Sequence, residues 1–126
     1  MQRVKALFIT AWSALFSLLG ILALPVALLV VGNVTDYITG IAASQYREEQ
    51  VSSYKGIRGI YKKIGMWILI FIGWMMDMLI GYTVQYIGLN ISLPYIVATV
   101  VAVWLICNEV ISILENLIDI GVDIPP

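Results

Sequence analysis

Apolar residues along this chain fall in long unbroken runs rather than in alternation, a helical pattern that rules out a membrane β-barrel. Between Ala6 and Tyr46 the single charged residue is Asp36. About 20 helical residues cross a ~30 Å hydrocarbon core, so this run is too long for one span. Gly20 and Pro25 bracket a natural break. The preferred reading is a helical hairpin with spans near 6–24 and 26–46; the competing one is a single span preceded by an interfacial N-terminal helix. A hydrophilic segment, 47–63, comes next. A third apolar run covers about 65–87, with Trp67 near its start and Tyr82 and Tyr86 near its end, as interfacial aromatics sit. After a short link, Gly88 to Ser92, a fourth span begins near Pro94 and runs to about Leu114. The acidic tail, 115–126, holds Gly121 and then Pro125, a helix-stop signal. The pattern thus predicts an all-α membrane protein, one domain over 1–126, a polytopic bundle of three to four transmembrane helices with four preferred.

Composition sharpens this. The chain of 126 residues is 61% hydrophobic and 12% charged, with mean hydropathy +0.96, against roughly 45–50% and 25% for soluble domains. A protein this small cannot bury so much apolar surface, and the excess must face lipid. Arg3 and Lys5 precede the first run, as in a signal peptide, but the run far exceeds the 7–15 residues of such a segment and no A-x-A site closes it. It is read as a retained span. There is no histidine, and Cys107 is the single cysteine. An internal disulfide, the common zinc and haem sites and a Ser-His or Cys-His pair therefore have no residues to form them. Phosphate-cradling glycine loops are missing too. No enzyme, cofactor or metal is expected, and a net charge of -1 gives no reason to expect nucleic acid.

Charge is distributed unevenly. Five of the seven basic residues, Arg47, Lys55, Arg58, Lys62 and Lys63, lie in the hydrophilic segment. Ser52 and Ser53 are placed to cap a short helix there, with Lys55, Arg58 and Lys62 on one face. By the positive-inside rule this segment is cytoplasmic. Arg3 and Lys5 share that side only if an even number of spans intervenes, which favours four spans with both termini inside. The segment reads as a topology determinant, or as a surface for anionic lipid headgroups.

Polar and small residues form stripes within the spans. Gly32, Asp36, Thr39, Gly40 and Ala43 recur on span two; Gly73, Asp77, Gly81, Gln85 and Gly88 on span three; Asn108, Ser112, Glu115, Asn116 and Asp119 on span four, with Glu109 beside them. Steps of three and four share one helical face. Small residues allow close helix approach and polar ones bond across an interface. Charged groups in a bilayer face a bundle interior or a water-filled path. Packing within one chain and lining of an aqueous path after oligomerisation both fit these stripes.

Three stretches in order carry a family resemblance: Asp36-Tyr37-Ile38-Thr39-Gly40; Ser52-Ser53 with Lys55-Gly56-Ile57-Arg58-Gly59-Ile60 and Lys62-Lys63; and Asn108-Glu109-Val110-Ile111-Ser112-Ile113-Leu114-Glu115-Asn116-Leu117 with Gly121 and Ile124-Pro125. From about Leu28 to Pro125 the chain resembles the phage lysis and toxin-secretion holins. The resemblance implies a non-enzymatic protein that oligomerises in the bacterial cytoplasmic membrane and permeabilises it, releasing an endolysin or a toxin. Asp36, Lys55, Arg58, Asn108, Glu109 and Glu115 match the family pattern, and Tyr37, Gly40, Gly56, Gly59, Asp77, Ser112 and Asn116 complete the candidate assembly or pore set. The implied partners are further copies of the chain, membrane lipids and an antiholin. Endolysin or toxin is a functional partner without required contact. Two other classes fit the hydropathy: a small four-helix transporter, which would need a carboxylate in its first helix where this chain has none, and an accessory scaffold subunit of a membrane complex.

Overall fold

The computed structural model describes residues 1–47, 53–91 and 94–125, with side chains of the third helix from Gly56 onward. The regular structure among the described residues is helical: α1 (Gln2–Leu19), a short 3-10 turn (Gly20–Leu22), α2 (Ala23–Tyr46), α3 (Ser53–Tyr86) and α4 (Ile96–Ile120). The break expected between Gly20 and Pro25 falls at Gly20, whose φ of +56° leaves the helical region and redirects the chain. Pro25 sits in the first turn of α2, where its missing N–H leaves no intrahelical bond unmade.

The basic segment holds a structural difference from the sequence reading. In place of a separate short helix before the third span, α3 runs unbroken for 34 residues. That is about 51 Å of helix, well beyond one hydrocarbon core. No proline interrupts Ser53–Tyr86, and its glycines lower helix propensity without ending the helix. The proposed cap by Ser52 and Ser53 lies outside the described residues and side chains. Likewise α4 continues beyond Leu114 to Ile120. It ends in a Schellman turn: Gly121 adopts φ +104°, and the Val122 N–H reaches the Leu117 carbonyl at 3.0 Å.

α2 and α4 run parallel as the main packed pair, with α3 antiparallel to both. The basic end of the bundle joins Arg47 to Asp119 in an ion pair. At the other end the Tyr95 hydroxyl donates to the Leu18 carbonyl, 3.0 Å, fixing the α1–α2 elbow to the start of α4. A small apolar cluster of Leu29, Met66, Ile70, Ala102 and Leu105 ties the three helices together. Most other large apolar side chains are exposed, the reverse of a soluble fold and the arrangement lipid favours. α1 has no buried residue. Three helical stretches are long and apolar enough to cross a membrane: Gln2–Tyr46, Gly56–Tyr86 and Ile96–Ile120. The first contains the Gly20 elbow, and at 45 residues it exceeds what one straight crossing needs.

Candidate functional site

Each of the three packed helices delivers one charged side chain to a common point. Asp36 comes from α2, Lys63 from α3 and Glu109 from α4. The Lys63 ammonium donates to Asp36 Oδ2 at 2.8 Å and to Glu109 Oε2 at 3.0 Å. Glu109 is 1% exposed. Two carboxylates thus share one ammonium, and neutral donors supply the remaining compensation. Asn33 Nδ2 donates to Glu109 Oε2 at 3.0 Å, while Trp67 Nε1 donates to Asn33 Oδ1 at 2.9 Å and fixes that amide's orientation. Asn116 Nδ2 reaches Asp36 Oδ1 at 3.1 Å and Thr39 Oγ1 at 3.0 Å. Removing charges from water is expensive, and a buried cluster persists only when its lone pairs and protons are answered this fully.

Helix spacing explains why these residues meet. Asn33, Asp36 and Gly40 follow one face of α2, and Lys63 and Trp67 are one turn apart on α3. Gly32 faces Glu109 so closely that a Cβ there would lie 3.3 Å from the Glu109 Cβ. The glycine lets α2 and α4 approach at the depth where the carboxylate is held.

Toward the basic end, the cluster opens into a cavity of about 320 Å³ with charged, polar and apolar walls. Eight candidate residues line it: Asp36, Tyr37, Gly40, Gly56, Gly59, Ser112, Glu115 and Asn116, joined by Ile41, Ser44, Lys62 and Lys63. A Cβ on Gly59 would meet nothing within 4 Å, so its missing side chain leaves open space. The cavity carries both signs of charge and suits water and polar groups.

Other candidates lie elsewhere. Asp77 belongs to the opposite end, where its two carboxylate oxygens accept the backbone N–H groups of Val97 and Ala98, each at 2.8 Å. A side chain of α3 thereby caps the first turn of α4, whose own preceding residue, Tyr95, is left-handed and offers no side-chain cap. A second cavity of about 490 Å³ adjoins it, lined in part by Gly81, Gln85 and Pro94. Arg58 is exposed, and Asn108 and Glu115 are also on exposed positions of their helices. The side chain of Lys55 lies outside those described. The stripe on span four is therefore divided: Glu109 and Asn116 turn inward, Ser112 lines the cavity, and Asn108 turns away.

Sequence reasoning missed Asn33, Trp67 and the central part played by Lys63. Asn33 is a carboxamide inside an apolar run, three residues before Asp36, and that spacing was an available signal. Lys63 read as the last residue of a solvated segment because nothing local shows that α3 continues through it.

The match to the bacteriophage holin family model covers residues 13–126. It starts well before Leu28 and takes in the last seven residues of α1 as well as the three packed helices. An uncharacterized protein of Listeria innocua is 35% identical over 126 residues, covering 99% of this chain and 81% of that one. An uncharacterized Listeria monocytogenes protein shows the same identity and coverage. An uncharacterized Clostridium perfringens protein is 31% identical over 102 residues, 81% of this chain and 67% of its own. No solved structure matches the chain. Its outward apolar surface, its three candidate membrane-spanning stretches and the family match together describe a holin-like membrane protein and point to a non-enzymatic one: the chain belongs to the bacteriophage holin family.

Proposed function

We propose that this protein oligomerises in the bacterial cytoplasmic membrane and permeabilises it, so that an endolysin or a secreted toxin leaves the cell. The observation that carries this reading is the polar interior of a lipid-soluble bundle. A buried Asp36–Lys63–Glu109 cluster continues into a cavity lined by residues of all three packed helices. Polar groups inside a membrane mark ion or solute paths. A cavity of about 320 Å³ in one copy is far too small for a folded protein, so release of such cargo needs many copies. Lateral contacts that are weak individually give an abrupt transition once the density in the bilayer passes a threshold.

The family match supports the same reading, and so does α1. It has no buried residue, and its Phe8, Trp12, Leu15 and Leu18 are exposed for contact with lipid. With Arg3 and Lys5 at its start, α1 returns the N-terminus to the basic side and makes a fourth crossing. The test is induced expression in bacteria while following membrane potential, culture density and leakage of a folded cytoplasmic reporter. A delayed, abrupt collapse with reporter release is the expected result. Normal potential, growth and retention at verified high membrane levels would overturn autonomous permeabilisation and favour a scaffold role.

A further inference from the structure

Two spaces at the basic end of the bundle adjoin and differ in character. The cavity beside the Asp36–Lys63–Glu109 cluster draws on α2, α3 and α4 and has charges of both signs on its walls. Next to it a groove of about 330 Å³ runs between α2 and α3, past Val34 and Ile38 on one side and Ile60 on the other. Its open wall is almost entirely apolar, and these three side chains are exposed, so the groove is reached sideways from the bilayer. Tyr37 and Lys63 line both spaces, which lets one ligand occupy the two together.

Their order across the membrane follows from α2. That helix runs from the Gly20 elbow to the Arg47–Asp119 pair at the basic end. The groove begins at Asn33 and Val34, about 10 Å of helix before the Gly40 and Ile41 of the cavity. The apolar space therefore lies on the bilayer side. The charged space lies on the side of exposed Arg58 and Lys62, which the positive-inside rule sets at the cytoplasmic boundary. A phospholipid of the inner leaflet has the same order, with its head toward the cytoplasm and its tails inward.

The cavity also selects among heads. Asp36 and Lys63 answer each other. Lys62 from α3 and Glu115 from α4 line the same cavity, are exposed and make no hydrogen bond or ion pair to any described residue. A head that carries a phosphate and an ammonium complements both. An anionic head without an ammonium would answer Lys62 and leave Glu115 facing it. A primary ammonium has three N–H groups to give, and the Ser44 and Ser112 hydroxyls on the walls are further acceptors; a trimethylated head has no N–H to donate.

We infer that each copy binds one inner-leaflet phospholipid with a primary-ammonium head, of the phosphatidylethanolamine kind, its ammonium on Glu115, its phosphate on Lys62 and an acyl chain in the groove beside Tyr37. The site belongs to a single copy, so it goes beyond the proposed function and does not rest on it.

The full chain in detergent is mixed with equimolar phosphatidylethanolamine, phosphatidylcholine and phosphatidylglycerol of identical acyl chains, and the lipid it retains is read by native mass spectrometry. One phosphatidylethanolamine per chain is expected in preference to the other two. Glu115→Gln and Lys62→Gln should each lower that preference about two- to fivefold, the scale of exposed ion pairs, with unchanged helicity by circular dichroism. Gly59→Leu, which puts a side chain into the open space of the cavity, should abolish it. Equal retention of the three lipids by the unsubstituted chain would overturn the assignment, since contact would then be unselective. So would a preference for phosphatidylglycerol, which would give the cavity to an anionic head, or a phosphatidylethanolamine preference that survives both Glu115→Gln and Gly59→Leu. Competition by glycerophosphoethanolamine, the head without tails, at the same concentration as the lipid would remove the groove from the site.

Discussion

Lys63 is the residue on which the interior most depends. It bridges carboxylates from two other helices, and its side chain is 15% exposed against 1% for Glu109. Removing one member of such a cluster leaves charge buried without its partner, which costs about 3 kcal/mol or more. Lys63→Met should therefore lower resistance to unfolding in SDS titrations followed by circular dichroism. Adding Glu109→Gln should recover part of the loss, because a neutral amide at that depth no longer needs the ammonium. A double change that costs the sum of Lys63→Met and Glu109→Gln measured separately would mean that the cluster is not energetically coupled. Asp77 acts differently, by closing the first turn of α4. Asp77→Ala should cost about 1–2 kcal/mol in the same titration, the scale of a lost helix cap, and Asp77→Asn should cost less, since one acceptor oxygen remains.

At the scale of elements, glycines of one helix have different jobs. A Cβ on Gly73 would sit 3.0 Å from the Ala98 Cα and 3.2 Å from its N. Both are backbone atoms, so α3 and α4 would have to separate. Gly81, two turns further along α3, meets nothing within 4 Å. Gly73→Ala should therefore destabilise the bundle, while Gly81→Ala should be neutral or gain up to about 1 kcal/mol from helix propensity; thermal unfolding of helicity in detergent distinguishes them. The sequence stripe Gly73, Asp77, Gly81, Gln85 reads as one uniform packing face. Only part of it packs, because α4 begins opposite Asp77 and α3 runs on past it to Tyr86. Where a neighbouring helix starts is a non-local fact, invisible to periodicity.

For the whole molecule, the number of crossings turns on α1. In a Cys107→Ser background, Gln2→Cys and Asp123→Cys should both react with impermeant maleimide from the cytoplasmic side, and Leu89→Cys from the outside. Reaction of Gln2→Cys from outside would put α1 on the outer surface and reduce the count to three. The elbow at Gly20 is compatible with either course, since it sits at the end of the bundle opposite the basic segment. The preference for four comes from Arg3 and Lys5, whose placement with the other cations satisfies the positive-inside rule.

The amino-acid sequence alone determined that this is a helical membrane protein, because continuous apolar runs of spanning length have no other stable use in so short a chain. It also determined which helix ends break, at Gly20 and Gly121, and the family, through motifs spread over nearly the whole chain. Tertiary structure decided what those motifs do. Asp36 and Lys63 are far in sequence from Glu109 and Asn116, and the four became one network only when α2 and α4 packed in parallel with α3 against them. Asn108 and Glu109 are adjacent and have opposite fates, one facing out and one buried, because a step of one residue turns a helix by about 100°. Periodicity identifies a face, but which face meets protein and which meets lipid depends on where the partner helices stand.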